Sequence, residues 1–174
     1  MAAGAALIPV GTHEAFERFR AMKTSDLSRT AGLAGIGLAA GFAGAVLMLM
    51  SQKAEMAITN RDPSTSPSKA VEKVTAVDLS ETDEQTLSTP IHLAFGTALG
   101  LGLAALTKVS EPARTGLFFA GTWSAGNGLL VALDLSDPPT RWDAKRLAID
   151  VAHHAVYAAG AAATFLGLRR LARL

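Results

Sequence analysis

Twenty consecutive uncharged residues, Ala31 to Met50 (AGLAGIGLAAGFAGAVLMLM), constrain the fold of this chain more than any other feature. At ~1.5 Å rise per residue, a helix over them is ~30 Å long, the thickness of a bilayer's hydrocarbon core. Three more segments of similar character follow at 91–107, 115–133 and 147–168. The sequence therefore predicts an all-α polytopic membrane protein, a four-transmembrane-helix bundle. Residues 31–174 would form one membrane domain with an outward loop over 51–90, and residues 1–30 a basic cytoplasmic or interfacial segment.

Composition agrees. Of 174 residues, 49% are hydrophobic and only 18% charged, and the charges gather between the apolar segments. A soluble helical bundle would need charge along the outer face of every helix, which these segments lack. The absence of cysteine removes disulfides, zinc-thiolate sites, iron–sulfur clusters, thiol nucleophiles and thioester lipid anchors together. There is no phosphate-binding glycine loop, serine nucleophile elbow or His-Glu-x-x-His pair, so an enzyme is not expected. A net charge of +1 gives nucleic-acid binding no support. The apolar stretch Met1–Val10 is short, lacks a preceding basic region and contains Pro9, so the first span is expected to be an uncleaved anchor.

Lysines and arginines set the orientation. Nine fall on the N-terminal side of the expected topology (Arg18, Arg20, Lys23, Arg29, Lys108, Arg114, Arg169, Arg170, Arg173) and seven on the other, where they share their loops with eleven carboxylates. Basic residues are retained on the cytoplasmic side, which predicts that both termini are cytoplasmic.

The connections carry their own signals. His13–Met22 (HEAFERFRAM) spaces Phe16, Phe19 and Met22 three apart among basic residues, the pattern of a short helix in the headgroup region or of a mobile basic tail. Thr59–Ser68 predicts a break, after which Ser66 can cap a helix with Pro67 at its first position and Ala70, Val71, Val74 and Val77 along one stripe. Glu81, Asp83 and Glu84 read as a solvated loop face. Asp134 would mark the outer end of the third span, and Pro138-Pro139 would make the next connection stiff and non-helical.

Small residues predict how the spans pack. Gly37, Gly41 and Gly44 lie on the first, Gly96 and Gly100 on the second, Gly116, Gly121, Gly126 and Gly128 on the third, and Gly160 on the last. In lipid, helices associate by close backbone approach, which such residues permit. The chain has more small-residue faces than four helices need internally, which points to a homo-oligomer or a membrane-protein partner.

Function would sit at the polar residues of the spans. Asp150, His153, His154 and Tyr157 are spaced i, i+3, i+4 and i+7 along one face of the fourth, and His92 opens the second at similar depth. Ionisable groups there are costly unless they pair or face a cavity. Four readings stay open: a divalent-metal site using His92, Asp150 and His154, a proton-responsive site, a ligand or lipid-headgroup site, and a purely structural helix end. Trp123 and Asn127 share a face of the third span, where Asn127 can bridge helices. Beyond a non-enzymatic component acting through packing or pH sensing, a small channel or transporter and a membrane metalloprotein are the alternatives.

Short motifs add a resemblance. His92-Leu93-Ala94-Phe95-Gly96, Trp123, Pro138-Pro139 and His154-Ala155-Val156-Tyr157-Ala158-Ala159-Gly160 resemble the YagU-type family of small four-span bacterial inner-membrane proteins over residues 31–170. The resemblance implies a place in the bacterial inner membrane and a role in envelope or acid stress, and it puts the family's H-x-x-F-G and H-x-x-Y-x-x-G patterns on His92 and on His154, Tyr157 and Gly160.

Overall fold

A computed structural model describes the backbone of Val10–Leu174 and the side chains of Thr24 and of Asp26 onward. The apolar stretch at the N-terminus and the side chains of the expected basic helix at His13–Met22 lie outside the described residues. The described chain is helical throughout, without a strand: α1 (Val10–Thr59), α2 (Ser66–Thr75), α3 (Glu81–Leu99), α4 (Leu101–Ala105), α5 (Glu111–Ala132) and α6 (Ala144–Leu171). Three helical stretches are long and apolar enough to cross a membrane, namely Asp26–Thr59, Glu81–Ala105 and Ala144–Leu171. The expected third span coincides with α5, whose 22 residues include Thr122, Trp123, Asn127 and four glycines, and these dilute its apolar character.

The helix ends correct several expectations. Because no proline or glycine pair interrupts it, α1 continues past Met50 to Thr59. The outward loop is thus shorter than 51–90, and its break is confined to residues 60–65. In that break Asn60 takes a left-handed φ of 55°. The helix expected at Ser66 forms, with Thr65 rather than Ser66 at the capping position and without a side-chain cap bond.

The largest correction is at α3. Its first turn is the acidic run Glu81, Asp83 and Glu84, not a loop face. Ser80 caps it, its Oγ accepting from the Asp83 backbone N–H at 3.2 Å, and the carboxylates sit at the positive end of the helix dipole. Pro90, the last residue of the expected loop, lies inside the helix. The turn around it is held from outside. Ser68 of α2 and Ser88 of α3 share a buried hydrogen bond of 2.8 Å, and Lys69 pairs with Glu84 at 3.5 Å.

Elsewhere α5 ends at Ala132, and Asp134 takes a left-handed φ of 55° as its carbonyls are capped. The proline pair that was expected to be non-helical instead opens a single 3-10 turn, Pro139–Arg141, since proline suits the first position of a helical turn. Asp143 then caps α6, accepting from the Arg146 N–H at 2.9 Å.

Gly37, Gly41, Gly44, Gly96, Gly100 and Gly160 are where helices meet within the chain, whereas Gly116, Gly121 and Gly128 of α5, also expected to pack, have nothing within 4 Å of a Cβ position. A Cβ on Gly100 would strike the Gly37 carbonyl, one on Gly41 would lie 2.6 Å from the carbonyl oxygens of Gly96 and Thr97, and one on Gly44 would lie 2.7 Å from that of Tyr157. A Cβ on Gly96 would lie 2.7 Å from Ala45, and one on Gly160 would strike Leu47. α1 is thus the central post, with α6 and the α3–α4 helix packed on it through these contacts. The small core holds Phe118, Tyr157, Phe165 and Leu103. Phe118 and Tyr157 stack with ring centroids 5.5 Å apart.

Candidate functional site

The arrangement of α3 and α5 makes the site. α3 packs on α1, and α5 on α6, while α3 and α5 scarcely touch each other. The two are joined through α4 and the short connection to Glu111, so they are held together at one end and left apart at the other. The space at the open end is a cavity of about 900 Å³, within the range of small-molecule sites.

The cavity brings together all of the polar face expected from the sequence. His92, Asp150, His153, His154, Tyr157 and Asn127 all line it. Asp150 is the hub. Its Oδ1 accepts from Trp123 Nε1 at 2.8 Å and from Asn127 Nδ2 at 3.2 Å, so two donors of α5 converge on one acid of α6. His154 Nδ1 lies 3.4 Å from the same oxygen. It also lies 2.9 Å from the Asp150 backbone carbonyl. A carbonyl only accepts, so Nδ1 carries a proton and Nε2 is the free acceptor of the neutral ring.

His153 points the other way, toward α1. Its Nδ1 is 2.8 Å from Ser51 Oγ, and its Nε2 is 3.8 Å from Glu55 Oε2. That is too far for a hydrogen bond. His153 is only 6% exposed, and its Nε2, like that of His92, is buried without a hydrogen-bond partner. Tyr157 donates to the Gly96 carbonyl at 2.7 Å, fastening α6 to α3 where a glycine lets the phenol approach.

Several functional positions were not singled out in the sequence. Ser51 and Glu55 fall on the stretch of α1 expected to be loop, and their i, i+4 spacing becomes a signal only once that stretch is helical. Arg61 donates from Nη2 to Glu55 at 2.8 Å and so fixes the acid that faces His153. Arg114, counted only as a loop charge, is 6% exposed. Its guanidinium donates to the carbonyls of Leu106 at 3.1 Å and Val109 at 2.8 Å. It thereby closes the end of the bundle opposite the cavity.

The metal set suggested by the sequence does not assemble. Among the described residues no three histidine or acidic side chains converge as ligands, since Asp150 Oδ1 is committed to Trp123 and Asn127. In comparison with known proteins, the chain matches no protein-family model, no curated protein and no solved structure.

Proposed function

We propose that this chain is a non-enzymatic, four-span protein of a bacterial inner membrane, both termini cytoplasmic, whose open-end cavity responds to protons. The observation that carries the reading is the approach of two histidines of α6 to carboxylates, His153 to Glu55 at 3.8 Å and His154 to Asp150 at 3.4 Å, with the Nε2 of His153 buried without a hydrogen-bond partner. Buried polar groups are ordinarily satisfied, so an orphaned one calls for an explanation. Protonation would turn the 3.8 Å approach of His153 to Glu55 into an ion pair that tightens α6 on α1, and the 3.4 Å approach of His154 to Asp150 into one within α6, on the oxygen that accepts from the Trp123 indole of α5.

The charged groups facing the histidines come from every wall. α1 and its end supply Glu55 and Arg61, α3 supplies His92, and α6 supplies Asp150, with Asp143, Lys145 and Arg146 at the rim. α5 contributes only the neutral Trp123 and Asn127 to the Asp150 hub. The resemblance of the His92 and His154–Gly160 motifs to YagU-type proteins supports the same reading. The packed end beyond Tyr157, filled by Phe118, Phe165 and Leu103, supports a closed bundle rather than a pore.

Trp123 is a built-in reporter, because its indole N–H is bonded to Asp150. In a Trp142→Phe background reconstituted in nanodiscs, Trp123 emission is expected to shift as pH falls from about 8 to about 5, across the usual histidine range. The shift should vanish in His154→Gln. Emission that is flat with pH in the parent protein would sink the proton-responsive reading.

A further inference from the structure

The same cavity carries a second message in its walls and rim. Between α3 and α5 it opens sideways, and the wall residues Phe95 and Leu129 remain 39% and 38% exposed. Val71 and Val74 of α2 form the apolar roof, Val74 being 70% exposed. Apolar surface concentrated around a cleft marks a place for an apolar occupant.

Two cations at the rim lack an acidic partner, unlike those around them. Arg61 pairs with Glu55 at 2.8 Å, Lys69 with Glu84 at 3.5 Å and Arg141 with Asp137 at 3.6 Å. Lys145 and Arg146, both lining the cavity, have no carboxylate within ion-pair distance among the described residues. The neighbouring acid, Asp143, is occupied in capping α6. Arg146 is nevertheless held in place. Its guanidinium lies 4.2 Å over the Trp142 ring, and Nη2 donates to Ser136 Oγ at 2.9 Å. A planar guanidinium fixed on an aromatic platform, with its charge unsatisfied, suits a phosphate.

We infer that the cleft holds one anionic phospholipid taken sideways from the surrounding leaflet. Its acyl chains lie between α3 and α5 against Phe95 and Leu129, and its phosphate sits at Arg146 and Lys145. This inference rests on the membrane insertion proposed above and is independent of the proton response.

The test is native mass spectrometry of the full chain released from nanodiscs containing equal parts phosphatidylglycerol and phosphatidylethanolamine. One phosphatidylglycerol retained per chain, in excess of the bulk ratio, is the expected result. Lys145→Gln and Arg146→Gln should each reduce that preference about fivefold, the effect of one basic residue at a lipid surface. Leu129→Trp should reduce retention of both lipids by filling the cleft. A chain that inserts and is released intact without lipid, one that retains both lipids equally, or a second copy seated in the cleft would each overturn the inference. In all three cases the chain has inserted, so the four-span reading survives them. Failure to insert would overturn both.

Discussion

Asp150 shows how much of this molecule turns on single side chains. One carboxylate oxygen accepts from Trp123 and Asn127 and lies beside His154. Replacing it by alanine leaves two donors unsatisfied, so Asp150→Ala should destabilise the fold by about 1–3 kcal/mol in reversible unfolding from mixed micelles. Tyr157→Phe keeps the ring stacked on Phe118 and loses only the bond to the Gly96 carbonyl, for which a cost of about 1 kcal/mol is expected. The polar face of α6 could be read from its i, i+3, i+4, i+7 spacing because a helix places those positions together whatever surrounds it. Its partners could not. Ser51 meets His153 across 102 residues of chain, and local spacing carries no trace of that meeting.

Among the elements, helix ends were the least legible and helix contacts the most. The acidic run at 81–84 looked like loop because such a run is a common loop signal. Together with Ser80, however, the acids form a strong N-terminus, and α2 supports the proline turn from the side. Ser80→Ala should therefore unravel the first turn of α3 at a cost of about 1 kcal/mol, seen as lost amide protection at Asp83 and Glu84. The α6 cap adds a pH dependence. The Arg146 backbone N–H donated to Asp143 holds that carboxyl below its usual value. Its stabilising effect is full above the unfolded carboxyl's range and fades as pH falls through the depressed value. Hydrogen exchange, corrected for intrinsic rates, should thus show the first turn of α6 loosening below about pH 4, and Asp143→Asn should flatten that dependence. Glycine contacts were legible because lipid leaves close approach as the main source of helix affinity. Gly100→Ala drives a methyl into the Gly37 backbone, which cannot yield as a side chain would, so a loss of about 1–3 kcal/mol is expected. Gly121→Ala, with nothing within 4 Å, should leave stability unchanged.

At the scale of the whole molecule, the glycines change what the surface offers. Of the glycines expected to mediate packing, those of α1, Gly96, Gly100 and Gly160 are used inside the chain, whereas Gly116, Gly121 and Gly128 of α5 meet nothing. The topology is open to direct measurement because the chain has no cysteine. Single cysteines at Ser64 and Ser136 should react with an impermeant maleimide from outside whole cells, and one at Ser110 only after permeabilisation. The opposite pattern would invert the proposed orientation. α1 gives the molecule a mechanical character as well. From Asp26 to Thr59 it runs 34 residues, about 51 Å at 1.5 Å per residue, against a hydrocarbon core of about 30 Å. It is one uninterrupted helix whose far end carries Ser51 and Glu55 at the histidines. A tilt or axial shift imposed on one side of the bilayer therefore reaches the cavity as rigid-body lever motion, with no hinge between them to absorb it.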